Sequence, residues 1–423
     1  MIDQVQTTRL PNGLTILTEH MPGLRSVSLG IWVRRGSRHE AEPLNGICHF
    51  IEHALFKGTQ RRSAHDIASE SDRLGGQLDA YTTHEMTGFA MKVVDTELDR
   101  AFDLLADLLL HPRFDDDDLL KEQKVIIEEM KMIEDTPDEL LNELFHAAYF
   151  PDHSLGRPIE GTEETVSSFD QSKTRDFHNS NFAPRNLVVA AAGNVTHNQL
   201  VDLVAKAFAE VNAKANGHES SPAPKIAAPI LIERKGELEQ AHLIIAAPWP
   251  SAKSEDRYAA SMLGTIIGGG TSSRLWQSIR EERGLAYSIG AGGNTYTDVG
   301  MFTIYAGTSP TQIDQVLDLS LKELRRSVHE AVSETELQLA KAQAISSVLL
   351  SLESSSARVG ALARQEIVHG RRISPDEIIN WIEGVKIEDV QRVAQTCFTS
   401  ESLALGALGN LNGFAVDRSR LEI

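Results

Sequence analysis

Cysteine is nearly absent from this chain of 423 residues, which has only Cys48 and Cys397. Two thiols cannot build a disulfide framework, so a stapled secreted scaffold is excluded and a reducing compartment fits. No apolar run approaches the ~20 residues needed to cross a bilayer. The start, Met1-Ile2-Asp3-Gln4-Val5-Gln6, has neither a basic stretch leading into an apolar one nor the arginine-rich pattern of a transit segment. These absences make the cytoplasm the expected location. Positive charge is also scarce: 41 Lys and Arg stand against 60 Asp and Glu, a net charge of −19. With no basic stripe to offset it, that balance disfavours non-specific nucleic-acid binding.

What is present describes an ordinary globular protein, 41% hydrophobic and 24% charged. The length exceeds one typical core, so two domains or more are expected. The chain is organised around Gly46-Ile47-Cys48-His49-Phe50-Ile51-Glu52-His53-Ala54-Leu55-Phe56. Apolar residues at 47, 50, 51, 54 and 55 recur at helical spacing. His49 and His53 lie one turn apart and project to the same side, where two imidazoles can reach one zinc ion at about 2.0–2.1 Å. Glu52 is close enough to that side to take a proton from a water activated there. The string is H-x-x-E-H, the inverted metalloprotease helix motif. Cys48 points elsewhere on the helix and reads as a small buried thiol.

Before the motif, Thr7–Thr18 reads as two strands around Pro11-Asn12-Gly13, and Ser26–Arg34 as another. Beyond it come a helix capped by Ser63, a break at Gly75-Gly76 and an antiparallel pair over 77–83 and 87–93. Helices follow over 96–110, 115–134 and 138–150, then a buried strand over 186–192 closing at Gly193-Asn194. Residues 214–229, rich in Pro, Ala and Ser, read as a linker between an N-terminal half, 1–213, and a C-terminal half, 230–423. The second half copies the first. Tyr81 and Tyr296 sit in matching strings at an offset of 215, and Gly193-Asn194 matches Gly409-Asn410 at 216. The expected fold is therefore α+β: two homologous halves from an internal duplication, each a largely antiparallel sheet packed with helices. The copy of the motif helix falls near Leu263-Gly264-Thr265-Ile266-Ile267, which holds no ligand. Residues needed only for folding should tend to appear in both copies, so their presence in one points to chemistry.

A catalytic zinc takes three protein ligands and keeps an open position. The helix over 121–134 offers Glu122, Glu128, Glu129 and Glu134. Glu122 and Glu129 are two turns apart and share a face, which Val125 and Ile126 are expected to make partly apolar. Carboxylates held on such a face need partners, and a metal ion is one. A solvated acidic face suits Glu128 and Glu134 better.

With these residues in view, the chain resembles the pitrilysin/insulinase family of inverted-motif zinc peptidases, in the short branch that includes the mitochondrial processing peptidase β-subunit. The resemblance spans essentially the whole chain. It includes His49 through Thr59, Leu74-Gly75-Gly76, Glu128-Glu129-Met130-Lys131 and Glu134 through Glu139. It implies a zinc endopeptidase acting on unfolded peptides or presequences, with one zinc per chain held by His49, His53 and Glu129 and with Glu52 as general base. Glu129 follows His53 at the family's spacing, 76 residues on (53 to 129), and Glu122 matches the glutamate that supports a ligand histidine. The family also places an arginine and a tyrosine of the second half across the cleft, matched by Arg280 and Tyr287, which would hold a substrate carbonyl and the developing oxyanion. Without the resemblance Arg280 is indistinguishable from Arg283. Gly268-Gly269-Gly270 is no phosphate loop, since no Lys-Ser/Thr follows.

Gly75, Gly76, Asp79 and Ala80 resemble the edge on which an extended substrate pairs. Asp79 stands where the family commonly has Asn, which removes a donor and adds a charge that would suit basic substrate residues. The resemblance further implies a homodimer or a heterodimer with a chain of similar length. The rival from another class is a non-catalytic binding or structural subunit, which usually lacks part of the ligand set.

Overall fold

Short runs of β-branched and small apolar residues, bounded by turn residues, become strands. The computed structural model describes residues 5–75, 78–209, 211, 223–411 and 413–423. In it these runs assemble into two sheets. The first takes β1 (Val5–Arg9), β2 (Thr15–His20), β3 (Ser26–Val33), β4 (Leu78–Thr82), β5 (Thr87–Val94) and β6 (Leu187–Gly193) in the order β1-β2-β6-β3-β5-β4. The second takes β7 (Ile230–Arg234), β8 (Ala241–Trp249), β9 (Ala286–Thr295), β10 (Gly300–Thr308) and β11 (Ala404–Gly409) in the order β7-β11-β8-β10-β9. Each sheet has one parallel pair, β2 with β6 and β7 with β11, and is otherwise antiparallel. This is the duplicated α+β architecture expected above.

The helices are α1 (Ile47–Leu55), α2 (Ala64–Arg73), α3 (Leu98–Leu110), α4 (Asp116–Glu134), α5 (Pro137–Tyr149), α6 (Glu163–Ser167), α7 (Gln171–Asn181) and α8 (His197–Ala207) in the first half. The second half has α9 (Arg257–Gly268), α10 (Ile313–His329), α11 (Glu334–Ser351), α12 (Ser355–His369), α13 (Pro375–Gly384) and α14 (Ile387–Cys397). Local chemistry explains several boundaries. Ser63 accepts from Asp66 N while the Asp66 carboxylate accepts from Ser63 N, a capping box that opens α2. Sequence periodicity misses α7, whose QSKTRDFHNSN has few apolar residues and starts on the Asp170 cap. It also misses α12 to α14.

Contacts divide the chain into two compact units that do not follow its two sequence halves. Unit 1 comprises Met1–Lys131, Arg157–Ser221 and Leu350–Ile373; unit 2 comprises Met132–Gly156, Pro222–Leu349 and Ser374–Ile423. Residues 214–222 of the expected linker lie outside the described residues. In unit 1, α1 and α3 pack into the main core on one face of the sheet. The other face is covered by α12 from the second half, through Val359, Leu362 and Ala363 against Leu17, Trp32, Val188 and Ala190. In unit 2, α9, α10 and α14 form the main core. The opposite face is covered by α5 from the first half, with Leu141, Phe145 and Tyr149 against Ile244, Ala404 and Leu408. Gly406 of β11 permits that approach, since a Cβ there would lie 2.8 Å from the Phe145 ring.

Candidate metal centre

The nine-residue helix α1 buries Ile47, Phe50, Ile51, Ala54 and Leu55 in the core of unit 1. That fixes the helix and leaves His49 and His53 on the remaining face. Its start is tightly specified. Gly46 has φ 93°, and a Cβ there would meet Glu160 O at 2.4 Å. The buried Glu40 carboxylate accepts from Gly46 N and Cys48 N, both at 2.8 Å, which satisfies amides the first turn leaves unpaired.

The two imidazole centroids of His49 and His53 lie 4.6 Å apart. From α4, Glu129 brings its Oε2 to 3.7 Å from His53 Nε2. One ligand atom from each of His49, His53 and Glu129 lies within 4.8 Å of the other two, the only such group among the described residues. Glu122, two turns earlier on α4, is buried and accepts from His53 Nδ1 at 3.2 Å and from Lys57 Nζ at 2.6 Å. Glu128 points away, its side chain 69% exposed and paired with Lys131. The apolar flank of this face differs from the sequence expectation. Ile126 is buried with Leu119, but Val125 is 44% exposed, because the buried stripe follows the positions 119, 122 and 126.

Electrostatics divides the roles. Burial, assisted by the neighbouring His53, pushes His49 down to about 4, so it is a neutral imidazole with a lone pair. Burial pulls His53 down as well, but its hydrogen bond to Glu122 and the charges of Glu129 and Glu52 outweigh that and leave it raised. Burial raises Glu122, yet His53 and Lys57 overcome this and keep it below the usual carboxylate range. Glu52 is raised, chiefly by burial, with Thr82 and His53 opposing. His49 Nδ1 is a buried nitrogen with no hydrogen-bond partner among the described residues. Two imidazoles, one kept neutral and incompletely bonded, and a carboxylate converging from a second helix make a donor set that suits zinc. The residues fit the ion.

Three residues beside this group were not singled out by sequence reasoning. Lys57 lies one turn beyond His53, a spacing that could have flagged it. Thr82 donates to Glu52 Oε2 at 2.6 Å. Glu40 caps the helix from six residues before Gly46, where no periodic pattern operates.

Strand β4 is the sheet edge next to α1. Leu78 and Ala80 pack toward the core on one face, whereas Tyr81 accepts from Trp32 Nε1 on the other at 2.8 Å. Asp79 is exposed and alternates onto the Tyr81 face, opposite Thr82. Gly75 has φ 65° in the turn before the strand; Gly76 lies outside the described residues. Within unit 2, Arg280 sits in a π-helical turn over Trp276–Glu281. Its guanidinium lies 4.0 Å from the Trp276 ring centroid and 5.7 Å from that of Tyr287, which is 81% exposed.

Residues 15–163 match the family described as insulinase (peptidase family M16), and residues 168–344 match the peptidase M16 inactive domain. An uncharacterized zinc protease of Bacillus subtilis (strain 168) is 40% identical over 397 residues, 93% of this chain and 96% of that one. The chain belongs to the insulinase family of peptidases. Another family member, an uncharacterized zinc protease of Rickettsia felis, is 36% identical over 98% of this chain and 100% of its own. Family structures share the fold. A protease from Helicobacter pylori superposes with a TM-score of 0.88 at 21% identity, over 96% of this chain and 100% of that one. A peptidase M16 inactive domain from Pseudomonas fluorescens gives 0.89 at 20%, over 96% and 98%. The family is one of peptidases, and these relatives are named as zinc proteases. No helix of the described residues is long and apolar enough to cross a membrane.

Proposed function

We propose that the protein is a zinc-dependent endopeptidase that hydrolyses unfolded peptides or presequences, with one zinc per chain held by His49, His53 and Glu129. The observation that carries this reading is the convergence of those three ligand atoms within 4.8 Å of one another, two from α1, which also bears Glu52, and one from α4. When bound, zinc supplies Lewis acidity, polarising a carbonyl oxygen and acidifying water. Glu52 takes the proton from the attacking water and returns it to the leaving amine. Its raised proton affinity suits that exchange. Glu122 orients His53 through Nδ1 and Lys57 holds Glu122 in turn, so the imidazole presents Nε2 toward Glu129.

An extended peptide adds to the free edge of β4 beside Gly75, Gly76, Asp79 and Ala80, its main chain providing affinity. An unfolded chain offers such a strand along its whole length, whereas a folded one has most of its main chain already paired. Arg280 and Tyr287 take the roles the family resemblance implies, Arg280 toward a substrate carbonyl and Tyr287 toward the oxyanion. The working form is a homodimer or a heterodimer with a similar-length chain, and the two buried free cysteines suit the cytoplasm. The reading of a non-catalytic binding subunit is disfavoured by the completeness of the ligand set.

The test is zinc analysis together with cleavage of a quenched, unstructured peptide with and without chelator. Stoichiometric zinc, chelator-sensitive cleavage and a Glu52→Gln variant that keeps zinc but loses hydrolysis are expected. A zinc-loaded Glu52→Gln variant of full activity removes the mechanism.

A further inference from the structure

We infer that Thr82 is a positioning residue for the general base, its hydroxyl holding one oxygen of Glu52 so that the other faces the water. This rests on the reading of Glu52 as that base. Glu52 is 8% exposed, and the hydrogen bond from Thr82 Oγ1 to its Oε2 is 2.6 Å, in the range of strong bonds to a carboxylate. A buried carboxylate with one oxygen occupied in this way has a fixed plane, and its second oxygen is aimed by default.

Thr82 is itself held from several directions. Its backbone pairs with Thr87 of β5 at the end of the β4 ladder. Leu78 and Ala80, on its own face of the strand, pack against the core that contains α1. Tyr81 is pinned from the opposite face by Trp32 Nε1–H. A hydroxyl on so constrained a strand is a rigid support of the kind a reactive group needs. The same strand supplies the free edge on which the peptide pairs. One element therefore sets both where the substrate main chain lies and where the base points. Because that pairing uses backbone groups and not the Thr82 side chain, loss of the hydroxyl acts on turnover and not on binding.

The experiment compares Thr82→Val, which keeps the β-branched shape, with Thr82→Ser, which keeps the hydroxyl, in the full chain loaded with zinc. Cleavage of a quenched, unstructured peptide, zinc content and melting temperature are read for each. Thr82→Val is expected to lower kcat by about 10–100-fold, the range for groups that support site residues, with KM and zinc content unchanged. Thr82→Ser restores most of the rate. Wild-type kcat in Thr82→Val, a change in KM alone, or equal impairment of the Val and Ser variants overturns the inference. If Thr82→Val does not fold, Thr82→Ala is read in its place by the same criteria. Glu52→Gln serves as the control. Full activity there sinks the assignment of the base, whereas an inactive Glu52→Gln beside a fully active Thr82→Val sinks only the role of Thr82.

Discussion

Gly193 ends β6 in unit 1 with φ 131°, and Gly409 ends β11 in unit 2 with φ 130°. At each, a Cβ would lie 2.4 Å from a carbonyl oxygen, that of Ser26 in one unit and of Gln240 in the other. Each glycine carbonyl also accepts a backbone N–H, from Met21 at 2.9 Å and from Lys235 at 3.0 Å. The units repeat one another down to such details, and for that reason their differences are informative. On α1 of unit 1 stand His49, Glu52 and His53; at the same offset of 215, α9 of unit 2 has Gly264, Ile267 and Gly268. A Cβ on Gly268 would come within 2.4 Å of Ala291 N on β9, so in unit 2 helix and edge strand pack backbone to backbone. In unit 1 a side-chain contact between the helix and its edge strand is made instead, Glu52 against Thr82. The architecture stands without the charged cluster, so the cluster is kept for what it does.

Four changes would break or sharpen this comparison. The largest effect belongs to His49→Ala or His53→Ala, each expected to abolish zinc uptake and peptide cleavage while the melting temperature falls no further than chelation alone lowers it. A variant that retains stoichiometric zinc would remove that histidine from the ligand set, and one that unfolds outright would mean that it is not dispensable to the fold as unit 2 implies. Next is Phe145→Ala, which empties the seat of α5 on the unit 2 sheet and should cost about 3–5 kcal/mol in urea denaturation with the zinc ligands untouched. A cost below 1 kcal/mol would show that α5 is not what closes that face.

Glu122→Gln should weaken zinc binding by about 10–100-fold, measured by competition with a chromophoric chelator. Unchanged affinity would detach Glu122 from the centre. The smallest effect is expected from Glu336→Gln in unit 2. Burial alone would raise the Glu336 carboxyl, but Arg274 and Ser333 outweigh it and hold it at about 2. With a folded value below the unfolded ~4.3, the pair contributes its stability above that value and loses it as pH falls through about 2. Because Glu336 is only partly buried, the loss at neutral pH should be under about 1 kcal/mol. The gap from the unaltered protein should close in acid denaturation between pH ~4.3 and about 2, and a gap that widens there would reverse the sign of this interaction.

Much of the fold was legible in short stretches. Hairpin residues at Pro11-Asn12-Gly13, the capping serine at 63 and the glycine at 75 act within a few residues of the chain. The helices over 171–181 and 355–369 were not legible. The first has few apolar residues, and the second covers a sheet belonging to the other half of the chain. Within the site, the proximity of His49, Glu52 and His53 follows from one turn of helix. The face that Glu129 shares with Glu122 already favours it over Glu128, and the packing gives the physical ground: one carboxylate turns toward His53 and the other toward solvent and Lys131.

From the sequence alone came the duplication, the helix with its two imidazoles and the asymmetry between copies, since helical period and repeat offset are properties of the chain read along its length. Tertiary structure decided the rest. It brought α4 to α1, set Lys57 on Glu122 and Thr82 on Glu52, and sent α5 and α12 to the opposite sheets. Those pairings join residues that lie far apart along the chain, so their free energy is spread over whole packed cores and leaves no local pattern to read.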